Sequence, residues 1–185
     1  AMSNHQTMSE KSPKKNLGAE SDIVNLILED HKPLKRLIKI MKDSDKHSLA
    51  ERSEAFAEFA PLLVVHAKPE EQVLYTYMKA DEDLREGGFE GDVEHQLADQ
   101  LVEEIMRTND EDLWSARVKV LAELVEHHIE EEEKDLLPDF KKESEPSERR
   151  ALGQKFLLFK TQLLEQGGTE TPYESRILPP SEGQH

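Results

Sequence analysis

Cysteine is absent from the 185-residue chain. That excludes a disulfide framework, a thiolate metal site and a cysteine nucleophile, so any metal must be held by imidazole and carboxylate. Basic charge is scarce: 24 Lys and Arg stand against 40 Asp and Glu, a formal net charge of −16. A surface that negative repels phosphate backbones and anionic head groups, so neither nucleic acid nor a membrane is expected as a partner. No stretch of about 18 apolar residues occurs, as a membrane-spanning helix would need. The start of the chain carries no apolar run flanked by basic residues and a small-residue cleavage site. A soluble, cytoplasmic protein is the expectation. Strand signals are missing too, since no segment alternates apolar and polar residues over several positions.

What is present is helical periodicity. Ala1 ahead of Met2 reads as an added residue, and the polar, Ser- and Lys-rich run through residue 19 reads as a disordered N-terminal tail. Ile23, Ile27, His31, Leu34, Ile38 and Met41 then fall 4, 4, 3, 4 and 3 apart, an amphipathic helix following Ser21 and Asp22. From Ser48 to Lys79, the residues Phe59, Leu63, His66, Glu70, Val73 and Tyr77 form a second such stripe. The stretch Glu86-Gly87-Gly88-Phe89-Glu90-Gly91 reads as a break, followed by a third helix with His95, Ala98, Val102 and Ile105 on one face. Asn109 or Asp110 caps a fourth, running from Glu111 beyond Leu137 with Leu113, Val120, Leu124, His127 and Glu131 on its stripe. Ser144 and Pro146 begin a fifth, with Leu152, Phe156, Phe159 and Leu163 inward. Residues 167–185, rich in Gly, Pro and Ser, read as a flexible C-terminal tail. The expected architecture is all-α: an up-down four-helix bundle over residues 20–166 with an additional C-terminal helix.

The histidines carry the chemistry. His31, His66, His95 and His127 each take a slot in the apolar stripe of a different helix, and Glu70 and Glu131 follow two of them by one turn, where a plain core would hold Leu or Val. Burying two ionised carboxylates without compensation costs several kcal/mol each, against a net stability of roughly 5–15 kcal/mol. No inward Lys or Arg sits at matching positions, whereas two divalent ions would neutralise both carboxylates and accept a lone pair from each imidazole. The six residues divide into two His per metal with both Glu bridging. Mixed nitrogen and oxygen ligation with open positions favours iron or manganese over structural zinc, and the imidazoles disfavour calcium. Glu71 and Glu132 read as outward neighbours, which a local bulge would exchange with Glu70 and Glu131. Pro33 and Pro69 remove backbone hydrogen bonds beside the site. Tyr77 continues the inward stripe, with core packing its simplest role, while His5, His47, His128 and His185 receive none. A calcium loop at Asp81 fails because its sixth position is Glu86 rather than Gly.

Four segments, Asp30-His31 in LILEDHKPLKRLI, His66 with Glu70 in VVHAKPEEQVLY, Glu94-His95, and His127 with Glu131 in ELVEHHIEEEEKDLLP, together resemble the hemerythrin-like family, also called the HHE cation-binding domain. The resemblance covers about residues 21 to 165. It implies a four-helix bundle with a non-haem di-iron centre bridged by carboxylates and an oxygen atom, for which manganese or zinc could substitute. The family's oxygen carriers pair two histidines four apart on the third helix, whereas His95 has Gly91 before it and Asp99 after it at that spacing. Asp99 could therefore be a ligand, an outer hydrogen-bond acceptor or a solvated group. Ferritin-like di-iron proteins instead place Glu-x-x-His pairs on two helices, and the positions three before His66, His95 and His127 are Leu63, Asp92 and Leu124.

The functional expectation is a non-haem di-iron protein that binds or reduces a small oxidant, namely dioxygen, hydrogen peroxide or nitric oxide. The alternative is an iron- or oxygen-responsive sensor, or a metal buffer without turnover, in which occupancy controls the stability of the bundle. Whether the protein is an enzyme, and what its redox or protein partner is, are left open by the residues.

Overall fold

The computed structural model describes residues 21–166, so both expected tails lie outside the described residues. Those residues form five helices and no strand, the all-α bundle with a fifth helix that the periodicity predicts. The first, α1, spans Ile23–Lys42, and its start is closed by the Asp22 carboxylate, which accepts from the Val24 N–H at 2.9 Å. Helix α2 runs Leu49–Glu70, then through a wide π turn at Glu71–Tyr75 and on through Thr76–Ala80. Ser48 caps it by accepting from the Glu51 N–H at 3.1 Å. Helix α3 is Arg85–Met106. Helix α4 is capped by Asp110 and follows the same plan as α2: Glu111–Glu131, a π turn at Glu132–Leu136, then Leu137–Glu143. Pro138 lies just beyond that turn, where its ring would press on the carbonyl four residues back in a regular helix. Helix α5 is Pro146–Gln166.

Helix α1 packs against α2 and α4, α3 packs against α4 and the end of α2, and α5 lies over α1 and α2. The apolar interior is divided in two. One cluster holds Leu34, Phe59, Val102 and Leu121, and the other holds Ile27, Leu74, Phe140 and Phe156. Along α1, α2 and α4 the switch from one cluster to the other falls within about a turn of a buried histidine, and His95 lies at the lower end of the α3 residues in the first cluster, so a polar layer is sandwiched between two greasy ones.

Two expectations are corrected here. The Glu86–Gly91 stretch is not a break but the opening of α3. A glycine within a helix costs about 1 kcal/mol relative to alanine, and here it permits close approach. A Cβ on Gly88 would lie 3.2 Å from the Tyr75 carbonyl oxygen, and one on Gly91 would lie under 3.0 Å from three atoms of the Tyr75 ring. The phase of α4 is also displaced by one residue: Val118, Leu121, Ala122, Val125 and Ile129 are buried, while Leu113 and Val120 of the expected stripe are exposed. A buried cation does exist, Arg52, but it lies away from the polar layer, donating to the Met41 carbonyl at 2.8 Å and to the Ser115 carbonyl at 2.9 Å.

Gly91→Ala gains helix propensity but drives a methyl into the Tyr75 ring, so the variant should lose roughly 1–3 kcal/mol in urea unfolding through overpacking. An unchanged or raised midpoint would show that the ring is not held against this helix.

Candidate metal centre

The polar layer is built from four imidazoles and two carboxylates. His31 from α1, His66 and Glu70 from α2, His95 from α3, and His128 and Glu132 from α4 are all buried. Of the residues expected from sequence, His31, His66, Glu70 and His95 are brought together. His127 and Glu131 are not: they are 67% and 51% exposed and pair with each other on the surface at 3.1 Å. The shift in α4 puts His128 and Glu132 in their places. The sequence turns Glu132 inward in place of Glu131 only through a local bulge, yet the regular helix from Val118 already carries Glu132 inward, and the π turn starts there. Counting back from Ile129 through Val125, Ala122 and Val118 in steps of 4, 3 and 4 was the available signal.

The donor atoms fall into two groups that share Glu70: His31, His66, Glu70 and Glu132 in one, and Glu70, His95 and His128 in the other. Glu70 turns Oε2 toward His66 Nε2, at 3.3 Å, and Oε1 toward His95 Nε2, at 3.2 Å. Glu132 does likewise, with Oε1 3.1 Å from His31 Nε2 and Oε2 3.2 Å from His128 Nε2. Each carboxylate thus turns one oxygen toward the His31 and His66 pair and the other toward the His95 and His128 pair.

Every imidazole is oriented from outside. Nδ1 of His66 meets Asp30 at 3.1 Å, Nδ1 of His31 meets Glu133 at 3.2 Å, Nδ1 of His95 meets Glu71 at 3.2 Å and Nδ1 of His128 meets Glu94 at 3.1 Å. An Nδ1–H donated outward leaves the Nε2 lone pair facing the centre, the tautomer a metal requires. Lysines hold three of these carboxylates in turn: Lys160 on Asp30, Lys35 on Glu133 and Lys68 on Glu71. Lys68 also binds Asp99 at 3.1 Å, so Asp99 sits in this outer network.

Charge is balanced tightly when no cation is counted. Burial by itself lowers the His66 pKa, but the Glu70 charge and the bonds to Asp30 and Glu70 outweigh it and carry the value up to about 10. His128 is raised well above its ordinary range despite burial, by its bonds to Glu132, Glu70 and Glu94. Glu70 is held well below the usual carboxylate range: burial opposes this, and the His66 charge with bonds from His128, His66 and His95 prevails.

Over residues 22–140 the chain matches the family model described as the hemerythrin HHE cation-binding domain. It belongs to the hemerythrin HHE cation-binding family. Comparison with curated proteins and with solved structures found no match.

Whether the residues of this hemerythrin-family chain suit a cation can be tested on their unsatisfied atoms. His31 Nε2, Glu70 Oε2 and Glu132 Oε1 are buried side-chain atoms with no hydrogen-bond partner, and all three belong to the first group. His31 Nε2 and Glu132 Oε1 stand 3.1 Å apart without hydrogen-bond alignment. A buried polar atom left unpaired costs about 1–3 kcal/mol, and a cation among these donors would remove that cost for all three. The donor set fits the family's metal. The acidic trio Asp81, Asp83 and Glu143, half-buried at Asp81 and exposed at the other two, offers no such unpaired buried atom, and Asp81 is engaged in capping the Asp83 and Leu84 N–H groups.

His128→Ala should therefore reduce the metal content per chain, while His127→Ala should leave it at the parent level, both read by metal analysis of the folded proteins. Loss of metal from the His127 variant with retention in the His128 variant would reverse the assignment.

Proposed function

We propose that this protein holds two iron ions and uses them to bind or reduce a small oxidant, namely dioxygen, hydrogen peroxide or nitric oxide. The observation that carries the proposal is the pair of donor groups sharing Glu70: His31 with His66 and His95 with His128 face each other across Glu70 and Glu132, which would hold the two ions between them. Imidazole and carboxylate together suit iron or manganese, and four helices contributing side chains to one layer give the mixed nitrogen and oxygen set that zinc structural sites lack. A pair of ferrous ions would supply two electrons and an open coordination position to a bound oxidant.

The rest of the chain shapes what can reach that position. A cavity of about 20 Å³ touches His66, His95 and His128 and is otherwise bounded largely by Leu34, Leu63, Ala98, Val125 and Ile129. It has room for a ligand of water or diatomic size, far below the roughly 300–1,000 Å³ of a typical organic substrate pocket. Its apolar walls exclude bulk water and favour an uncharged gas. On another side, an opening of about 240 Å³ reaches His128 and Glu132 past Glu90, Glu131, Asp135 and Asp139. Its negative field attracts cations and repels anions.

Sensing or buffering, the alternative to oxidant chemistry, is favoured by one feature: the donors come from four separate helices, so occupancy couples to the stability of the whole bundle. The two readings separate by experiment. Anaerobic loading with ferrous iron should give two ions per chain, and admitting dioxygen, peroxide or nitric oxide should change the visible and near-ultraviolet absorption within mixing or seconds. Sustained peroxide consumption supports turnover, and a spectrum indifferent to all three ligands would defeat the proposal.

Removing the metal should also lower the unfolding midpoint. A ligand at one hundred times its Kd stabilises by about 2.7 kcal/mol per site, so chelation should cost at least that in a thermal or urea melt. Coincident melts with and without iron would show that no cation resides in the layer.

A further inference from the structure

We infer that Tyr75 is itself a metal ligand, its phenolate oxygen completing the second of the two sites. The inference rests on the cation pair proposed above and deepens it.

The hydroxyl of Tyr75 stands 2.6 Å from Glu132 Oε2, 2.7 Å from Glu70 Oε1, 3.2 Å from His128 Nε2 and 3.4 Å from His95 Nε2. Three of those atoms come from the residues of the second group, Glu70, His95 and His128, the fourth, Glu132 Oε2, reaches that group at 3.2 Å from His128 Nε2, and His95 Nε2 and His128 Nε2 are themselves only 3.1 Å apart. A phenol has one proton to donate, so hydrogen bonding alone cannot serve two carboxylate oxygens and two imidazoles at once. An oxygen surrounded by nitrogen and oxygen donors is instead the arrangement of atoms that a shared cation gathers. The Tyr75 hydroxyl bonds the Oε1 of Glu70 and the Oε2 of Glu132, whereas Glu70 Oε2, Glu132 Oε1 and His31 Nε2 in the first group lack a partner.

Two separate features of the chain admit this ring. The π turn at Glu71–Tyr75 adds a residue to the helical repeat, so the position on the face of Glu70 is reached five residues on, at Tyr75. Tyr77, which a regular helix would turn inward, is partly exposed and bonds Glu148 at 2.9 Å. Across the interface Gly91 leaves the space that the Tyr75 ring fills, since a Cβ there would lie under 3.0 Å from three ring atoms. The ring is fully buried, so the hydroxyl has no route to an alternative partner in solvent.

The chemistry balances without a redox step. The phenolic O–H bond breaks, its proton passes to the Glu132 carboxylate 2.6 Å away and leaves by the acidic opening that Glu132 borders, and the oxygen's lone pair forms the bond to the cation. The second site then has five protein donors, from His95, His128, Glu70, Glu132 and Tyr75, against four at the first. A hard anionic oxygen favours ferric over ferrous iron, and the extra donor makes the two ions inequivalent. The position left for an incoming ligand lies preferentially at the ion held by His31 and His66, which the small cavity reaches at His66.

The test uses the full chain loaded with ferric iron, with iron content measured alongside the spectrum. The parent protein should show a visible phenolate-to-iron charge-transfer band, and resonance Raman excitation within it should enhance tyrosine ring vibrations that shift when the protein is made with ring-deuterated tyrosine. Tyr75→Phe should lose the band while keeping two irons per chain, and Tyr77→Phe should keep both. Should Tyr75→Phe fail to fold, the isotope shift in the parent protein decides by itself. Two irons per chain with no such band, or a band whose vibrations ignore the label, overturns the role of Tyr75 and leaves the iron pair standing. Failure to take up iron at all overturns both.

Discussion

The structure depends on keeping two ionised carboxylates, Glu70 and Glu132, in the middle of an apolar bundle. Both are almost wholly buried, and each has an oxygen without a hydrogen-bond partner. Isolated, such groups would cost several kcal/mol apiece. They are tolerable because four imidazoles from four helices surround them and because cations can lie between. The same carboxylates hold the His66 and His128 pKa values up, so a proton and a metal ion compete for the same imidazole nitrogens.

That requirement organises the elements around it. Each of the first four helices delivers at least one donor to the same height, which separates the apolar interior into two clusters. The π turn in α2 begins just after Glu70 and that in α4 begins at Glu132, and beyond each turn apolar side chains of the second cluster face inward. The glycines of α3 let that helix close on the rephased segment of α2. Local departures from regular helix are thus confined to the neighbourhood of the polar layer, where the backbone aims specific atoms.

The acidic composition also has a structural use. Asp30, Glu71, Glu94 and Glu133 are not surplus surface charge but the outer acceptors that orient the four imidazoles, and Lys35, Lys68 and Lys160 steady three of them. Exposed ion pairs of this kind contribute little to stability, about 0–1 kcal/mol each. Their effect is positional: they set the tautomer and the direction of each lone pair. No helix among the described residues is long and apolar enough to cross a membrane.

Helix number, a second helix starting near Ser48, a cap at Asn109 or Asp110, the family, and four of the six inward residues were legible in the chain, because a 3.6-residue repeat writes burial directly into the spacing of apolar side chains. His31, His66, Glu70 and His95 sit on stripes with no rival phase. The fourth helix was ambiguous, since Leu113, Val120 and Leu124 mark one face and Val118, Leu121, Val125 and Ile129 mark the next. Only packing against α1 and α3 chose His128 over His127 and Glu132 over Glu131. The same holds for Tyr75 and the Gly87 to Gly91 segment: a π turn and a close helix crossing are decided by which backbone positions meet across an interface. One-dimensional periodicity carries the face a residue takes within its own helix, and the phase between helices exists only once they are packed.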